Sequence, residues 1–111
     1  MITVKTLVVG SQIAATATTY YTAPANTKAA ITNMTLTNTT ANAITATVHV
    51  IDSGATETAS NMDISARTLA PGETYKCPEV IGKTISATGT IRALASSATS
   101  ITLKASGYEV T

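Results

Sequence analysis

Alternation of apolar and polar residues with a period of two is the dominant pattern along this chain. In Ala43–Asp52 the apolar side chains are Ile44, Ala46, Val48 and Val50, and polar ones lie between them. Successive side chains of a β-strand point to opposite faces, so this pattern predicts a strand with one face in a core.

The same alternation recurs in three further segments. In the two C-terminal ones the apolar positions are Ile91, Ala93, Ala95, Ile101, Leu103 and Ala105. In Ala30–Asn38, we expect Ala30, Thr32, Met34 and Leu36 to share one face. Ile31 interrupts that alternation and predicts either a bulge or a covered outer face.

Turn residues separate these segments at intervals of roughly 8–12 residues, which is typical of all-β sandwiches and barrels. Ala70-Pro71-Gly72-Glu73 is the clearest turn, and Asp52-Ser53-Gly54 is another. We predict about eight strands: 2–9, 15–22, 28–38, 43–52, 61–68, 73–77, 83–94 (with a break at Gly89) and 99–110. The expected fold is one antiparallel β-sandwich over residues 1–111, with jelly-roll or Ig-like connectivity.

One segment, Ala59–Leu69, fits two kinds of secondary structure. Met62, Ala66 and Leu69 fall near helical spacing, with Ser60 or Asn61 as a helix cap. Met62, Ile64 and Ala66 also fit the alternation of a strand, which we favour.

Composition limits the kind of core that such a sandwich can have. The chain of 111 residues contains 24 Thr and 19 Ala, four Tyr, and no Phe or Trp. The core is therefore expected to be thin and built from Ile, Val, Leu, Met and Ala. The β-branched residues among them favour a pleated sheet over a helix.

Charge excludes some functions. Charged residues make up 12% of the chain and the net charge is +1, with no cluster of Lys or Arg. A nucleic-acid binder needs such a cluster, so we expect no nucleic-acid partner. A surface with so few charges is expected to be covered by other copies of the chain or by neighbouring proteins.

Groups that could support chemistry are few and scattered. His49 is the single histidine, and its place on the polar face of a strand predicts a surface or interface residue. Cys77 is the single cysteine and is expected to be a buried structural thiol. The carboxylates are expected at strand ends and turns: Asp52, Glu57, Asp63, Glu73, Glu79 and Glu109. We predict no enzymatic activity, no metal site and no cofactor.

Two segments are candidates for an interface. Residues 1–12 form a possible N-terminal arm or an edge strand, with apolar Ile2, Val4, Leu7, Val8 and Val9. The neighbouring Tyr20 and Tyr21 could stack on a sugar, although adjacent tyrosines on a strand more often divide between core and rim. We expect no signal peptide at the N-terminus. We also expect no membrane span, because no apolar stretch approaches the length that one needs.

Four stretches give the chain a resemblance to a known group. They are YTAPA (21–25), TNTT (37–40), LAPGET (69–74) and ASGYE (105–109). In their order and spacing, over nearly the whole chain, they resemble small β-sandwich virion proteins of tailed bacteriophages.

The resemblance implies a non-enzymatic structural protein of the phage particle, assembled in the host cytoplasm as a homotrimer or higher oligomer. Such proteins decorate capsids as cement proteins and also occur at necks and tails. We expect a decoration protein that binds the major capsid protein, or another virion protein, across capsomer joints, with no membrane partner. A neck, collar or tail component is the first alternative, and a carbohydrate- or receptor-binding module is the second.

Overall fold

Residues 1–52 and 58–111 are described by the computed structural model of the chain, and they form an all-β domain. One 3-10 turn, Ala59–Asn61, precedes the fifth strand. The nine strands are β1 (Ile2–Gln12), β2 (Thr18–Thr22), β3 (Lys28–Asn38), β4 (Ile44–Ile51), β5 (Met62–Leu69), β6 (Thr74–Tyr75), β7 (Thr84–Ile85), β8 (Thr90–Ala95) and β9 (Ile101–Val110).

Two antiparallel sheets face each other across the core. Sheet A has the order β1-β9-β3-β6, with β7 also paired to β3. Sheet B has the order β2-β8-β4-β5. Because the chain changes sheet at nearly every connection, residues that are close in sequence lie in opposite layers.

This strand order matches the jelly-roll alternative. In an Ig-like sandwich the first two strands pair within one sheet. Here β1 and β2 lie in different sheets, and the last strand, β9, lies between β1 and β3. Such an arrangement of long-range antiparallel neighbours is typical of a jelly roll.

The expected strands are confirmed, including the break at Gly89, which separates β7 from β8. Ala59–Leu69 is mainly a strand, and the 3-10 turn before it is capped by Thr58 and not by Ser60 or Asn61. Ala70-Pro71-Gly72-Glu73 is a turn, with Glu73 N donating to Ala70 O. Ser53, Gly54 and Glu57 lie outside the described residues.

The bulge predicted at Ile31 is confirmed, and it changes which side chains face inward. The register of β3 on β9 shifts between Ile31 and Asn33. Ile31 is fully buried, whereas Thr32 is exposed and Ala30 lies opposite the outward-facing Tyr108. The expectation that Ala30 and Thr32 share the inner face with Met34 was therefore wrong, because the bulge inserts one residue and inverts the alternation before it.

The core is thin, as the composition predicts. Its fully buried large side chains are aliphatic, and alanines fill many of the remaining inward positions. The inward alternation of β4, β8 and β9 is as expected, with Val50 only partly buried. Tyr21 is the one aromatic ring among the buried members of the core.

Asn38 joins the ends of the two sheets through its buried side chain. Nδ2 donates to Asn42 O at 2.7 Å and to Leu69 O at 3.0 Å. Oδ1 accepts from Thr40 N at 2.9 Å and from Thr40 Oγ1 at 2.7 Å. The carboxamide therefore uses its full hydrogen-bonding capacity, tying the end of β3 in sheet A to the end of β5 in sheet B.

Replacing Asn38 with Ala should lower the free energy of unfolding by about 3 kcal/mol, because it leaves several buried or half-buried polar groups without partners. Chemical denaturation measures this loss. Asn42→Ala is the matched control, since Asn42 contributes backbone groups to the network, and it should behave nearly as the parent chain. Equal stability of the two variants would contradict the role given to Asn38.

Gly107 lies where β9 approaches β3 most closely. A Cβ atom at this position would be 1.9 Å from Ala30 O. Gly107 is paired with Lys5 on one side and with Ile31 on the other, so neither neighbouring strand is free to move away. The close approach excludes every residue that has a side chain.

Gly107→Ala should therefore destabilise the fold by about 3 kcal/mol or more, because backbone must shift to relieve the clash. Thermal unfolding followed by circular dichroism is the measurement. Ser106→Ala, one residue away on the outer face, should change stability by less than about 0.5 kcal/mol. A Gly107→Ala variant as stable as the Ser106→Ala variant would refute the close approach.

Candidate interaction surfaces

The outer face of sheet A is divided into an apolar and a polar half. In β1 and β9, Ile2 lies opposite Val110 and Val4 opposite Tyr108. All four side chains are exposed, Val4 at 88% and Ile2 at 68%. We call Ile2, Val4, Tyr108 and Val110 the apolar patch.

A groove extends the apolar patch across β3. Its volume is about 300 Å³, and it is lined by Lys28, Ala29, Ala30, Thr84, Tyr108 and Val110. Lys28 is the only charged residue of this lining. A protein surface that is apolar and nearly uncharged can be covered by another protein at little desolvation cost.

The polar half of the same face contains a second groove of about 350 Å³. Bulges in β1 between Thr6 and Val8 and between Val8 and Ser11 displace this strand from a regular register with β9. The groove is lined by Thr6, Val8, Val9, Gly10, Asn33, Thr35, Lys104, Ala105 and Ser106. Its hydroxyl, amide and ammonium groups are hydrogen-bonding partners for a polar ligand.

The candidate residues of the N-terminal segment divide into two groups. Ile2, Val4 and Val9 are exposed, whereas Leu7 and Val8 are buried in the core. The segment is strand β1, paired with β9 of its own sandwich. It is an edge strand and not a separate arm, so its removal would open the core beneath Leu7 and Val8.

Tyr20 and Tyr21 both lean toward the core, which a strictly alternating strand would not allow. The register of β2 on β8 shifts between Thr19 and Tyr21, and this bulge accommodates both rings. Tyr21 is 8% exposed, and Tyr20 is half-buried with its hydroxyl accepting from Ala14 N at 2.8 Å. The two rings therefore do not form an exposed flat pair.

Tyr21 connects the two sheets through a buried carboxylate. Its hydroxyl donates to Glu109 Oε2 at 2.5 Å, and Lys5 Nζ lies 3.4 Å from Glu109 Oε1. Glu109 is on the inner face of β9 and is 8% exposed. Burial, together with the hydrogen bond and negative charge of Glu109, raises the pKa of Tyr21 above its ordinary value.

His49 is not a surface residue. Although it lies on the outer face of β4, it is 3% exposed. Its Nδ1 is 2.8 Å from Asn61 Oδ1, which also accepts from Thr58 N. Because this oxygen is an acceptor, Nδ1 carries the proton and donates. His49 was predicted to be a surface or interface residue, and it is not at the surface of the chain, because its ring contacts Asn61 of the 3-10 turn that precedes β5.

The groups that could bind a metal ion lie apart in the described part of the chain. Among residues 1–52 and 58–111, no three His, Cys, Asp or Glu side chains are grouped so as to hold a metal ion. Cys77 is buried, as predicted, and burial raises the pKa of its thiol to about 12. Such a thiol is protonated at neutral pH and is a poor nucleophile.

Comparison with known proteins gave no relative. No family model, curated protein or solved structure matches the chain. Within the described residues, no helix has the length and apolar character needed to cross a membrane.

Tyr21→Phe should lower the free energy of unfolding by about 1–3 kcal/mol at neutral pH, because buried Glu109 loses a hydrogen-bond donor. In the parent chain the raised pKa of Tyr21 means that the unfolded state ionises first as the pH rises. Stability from this group is therefore constant below about pH 10 and falls above it, and the variant should lose stability less steeply there.

Urea unfolding between neutral pH and about pH 11 checks both expectations. Tyr20→Phe, which removes an acceptor for one half-buried backbone N–H, is the control at neutral pH and should cost less. If Tyr21→Phe matches the parent chain in stability and in alkaline slope, the Tyr21–Glu109 contact does not stabilise the fold.

Proposed function

We propose that this chain is a non-enzymatic structural protein of a tailed-phage particle, and that it decorates the head. In this role it binds the major capsid protein, or another virion protein, across capsomer joints. The observation that carries the proposal is the apolar patch on the outer face of sheet A. This patch is an exposed surface with few charges, and the β-sandwich that presents it is suited to a structural role.

The physical argument concerns the free energy of association of such a surface. Burying exposed apolar side chains favours association, and the few charges keep the desolvation cost low. A protein that binds across a joint stabilises the assembled shell, because it binds the assembled state and not its separated parts. Many copies on one particle, acting as a homotrimer or higher oligomer, make a modest contact effective through avidity.

The resemblance of the four sequence stretches adds support for a virion protein. Three of the stretches contain elements with a structural role. Asn38 in TNTT forms a buried hydrogen-bond network, LAPGET contains a turn, and Gly107 in ASGYE allows two strands to approach closely. Their order therefore supports a shared sandwich, while the apolar patch supports the role of that sandwich in assembly.

Two alternatives make different demands on the surface. A neck, collar or tail component could use the same apolar patch, so only its position on a particle separates it from a decoration protein. A carbohydrate-binding module is favoured by one specific observation, the polar groove lined by Asn33, Thr35 and Lys104. In that case binding should survive changes to the apolar patch.

The test is to add purified protein to phage heads that lack it and to locate it by electron microscopy. We expect regular density on the shell and a higher melting temperature of the particle. Tyr108→Asp, which places a charge within the apolar patch, should weaken binding at least about tenfold. Thr35→Asp, on the polar half of the same face, is the matched control and should bind as the parent chain does.

Other outcomes of this experiment would favour one of the two alternative functions. Density at the neck or tail would favour the first alternative. Failure to bind any part of the particle, combined with binding on a glycan array that Thr35→Asp abolishes, would replace the proposal with the carbohydrate-binding alternative.

A further inference from the structure

The free edge of β1 presents backbone groups that its own sheet does not use. β1 is at the end of sheet A and pairs with β9 on one side only. At its start, the Met1 amino group donates to Thr111 O at 2.8 Å, and Thr111 N donates to Met1 O at 3.0 Å. Met1 and Thr111 are thus a hydrogen-bonded pair of the antiparallel ladder.

This pair fixes the direction of the groups that follow. Bonded and non-bonded pairs alternate along an antiparallel ladder. Thr3 and Lys5 therefore direct their backbone groups to β9, and the N–H and C=O groups of Ile2, Val4 and Thr6 point to the free edge. We call residues 2–6 the open-edge segment.

The open-edge segment lacks the features that normally prevent strands from pairing. It contains no proline, and its register with β9 is regular from Ile2 to Thr6. Its one charge, Lys5, is 3.4 Å from the carboxylate of Glu109. The bulges and the left-handed Gly10 occur only later in β1.

The other sheet edges in the described part of the chain are less suitable. β5 has shifts in its register with β4 and a left-handed residue, Ala66. β2 is short and contains a bulge, and β6 and β7 have two residues each. The contrast singles out the open-edge segment as the longest regular edge.

We propose that the open-edge segment pairs antiparallel with the same segment of a second copy, about a twofold axis at Val4. In this register Val4 faces Val4, Ile2 faces Thr6 and Thr3 faces Lys5 of the other copy. Because Ile2, Val4 and Thr6 each offer one donor and one acceptor, the pairing makes about six backbone hydrogen bonds. No two lysines lie opposite each other, so the register is free of like-charge repulsion.

The same register brings exposed apolar side chains of the two copies together. Ile2 and Val4 lie on the outer face, and the side chains of two copies meet beside the axis. The apolar patches of both copies then form one surface, and their sheets A become one continuous sheet. Backbone pairing gives the contact its specificity, and lateral contacts of the Ile2 and Val4 side chains across the junction add a hydrophobic contribution.

This contact goes beyond the proposed virion role, and it involves Ile2 and Val4 of the apolar patch but not Tyr108 or Val110. A twofold contact produces a dimer, and three such dimers around a threefold axis give a hexamer. The dimer needs no phage particle, so it can be measured on the purified chain. A monomer that still binds phage heads would overturn the pairing and leave the virion role standing.

Sedimentation equilibrium of the full chain at concentrations up to about 1 mM is the first measurement, with a monomer–dimer equilibrium as the expected result. Val4→Lys places two like charges opposite each other at the axis and should weaken the dimer at least about tenfold. Val9→Lys adds the same charge to an exposed position of β1 outside the open-edge segment, within the second bulge, and it should dimerise as the parent chain does.

Two further variants test the register itself. Val4→Pro removes an N–H that points to the free edge and keeps the bonds to β9, so it should fold and remain monomeric. In Val4→Cys the two Cα atoms would be about 5.5 Å apart across the axis, which suits a disulfide. Oxidation should then give a covalent dimer, which Val9→Cys should not form, and buried Cys77 should not compete.

The proposal is overturned if the parent chain stays monomeric, if it forms trimers with no dimer, or if Val4→Lys associates as strongly as Val9→Lys. If Val4→Pro fails to fold, Val4→Lys and Val4→Cys decide the question, because both keep the backbone of β1 unchanged. Equal cross-linking of Val4→Cys and Val9→Cys would exclude the proposed register.

Discussion

The close contact of two sheets across a core of small aliphatic side chains is the constraint on which the rest of this structure depends. Without Phe or Trp, the chain fills its interior with Ile, Leu, Val and Ala. Within sheet A, the backbones of β9 and β3 also lie close together, at Gly107 beside Ala30 O. A thin core buries less apolar surface per residue, so polar contacts between the layers gain in importance. Asn38 joins the sheets at the ends of β3 and β5, and Tyr21 with Glu109 joins β2 to β9.

Periodicity was sufficient to predict the class of fold and most of its strands. The inward residues of β4, β8 and β9 follow strict alternation because these strands are regular over most of their length. The bulge near Ile31 was also visible, since an apolar residue at an outward position breaks the pattern. The change of face at Ala30 and Thr32 could not be predicted. An interrupted alternation does not show whether the residues before or after the bulge change face.

Other features depend on neighbours that are distant in the sequence. His49 is buried on the outer face of β4, where its ring contacts Asn61 of the 3-10 turn before β5, and the alternation of one strand does not show which turn packs against it. Glu109 lies at the end of a strand, as expected, but its side chain faces inward between Lys5 and Tyr21, which the pattern did not predict. Among the N-terminal candidates, Leu7 and Val8 could not be separated from Ile2 and Val4 by composition, because all belong to one apolar segment. Only the pairing of β1 with β9, and its bulges, decides which of them point outward.

The low charge of the chain can be interpreted once the positions of its few charged side chains on the sheets are known. The few charged side chains near the open-edge segment, Lys5 and Glu109, interact with each other and leave this edge without net repulsion. Edge pairing would widen sheet A without covering its outer face, so Tyr108 and Val110 of the apolar patch would stay exposed in such a dimer. A dimer formed this way would therefore use the backbone groups of its edge for self-association and keep the rest of the apolar patch for a larger partner. In that arrangement backbone groups at one edge would recognise an identical chain, and side chains of the outer face would be free to contact a different protein.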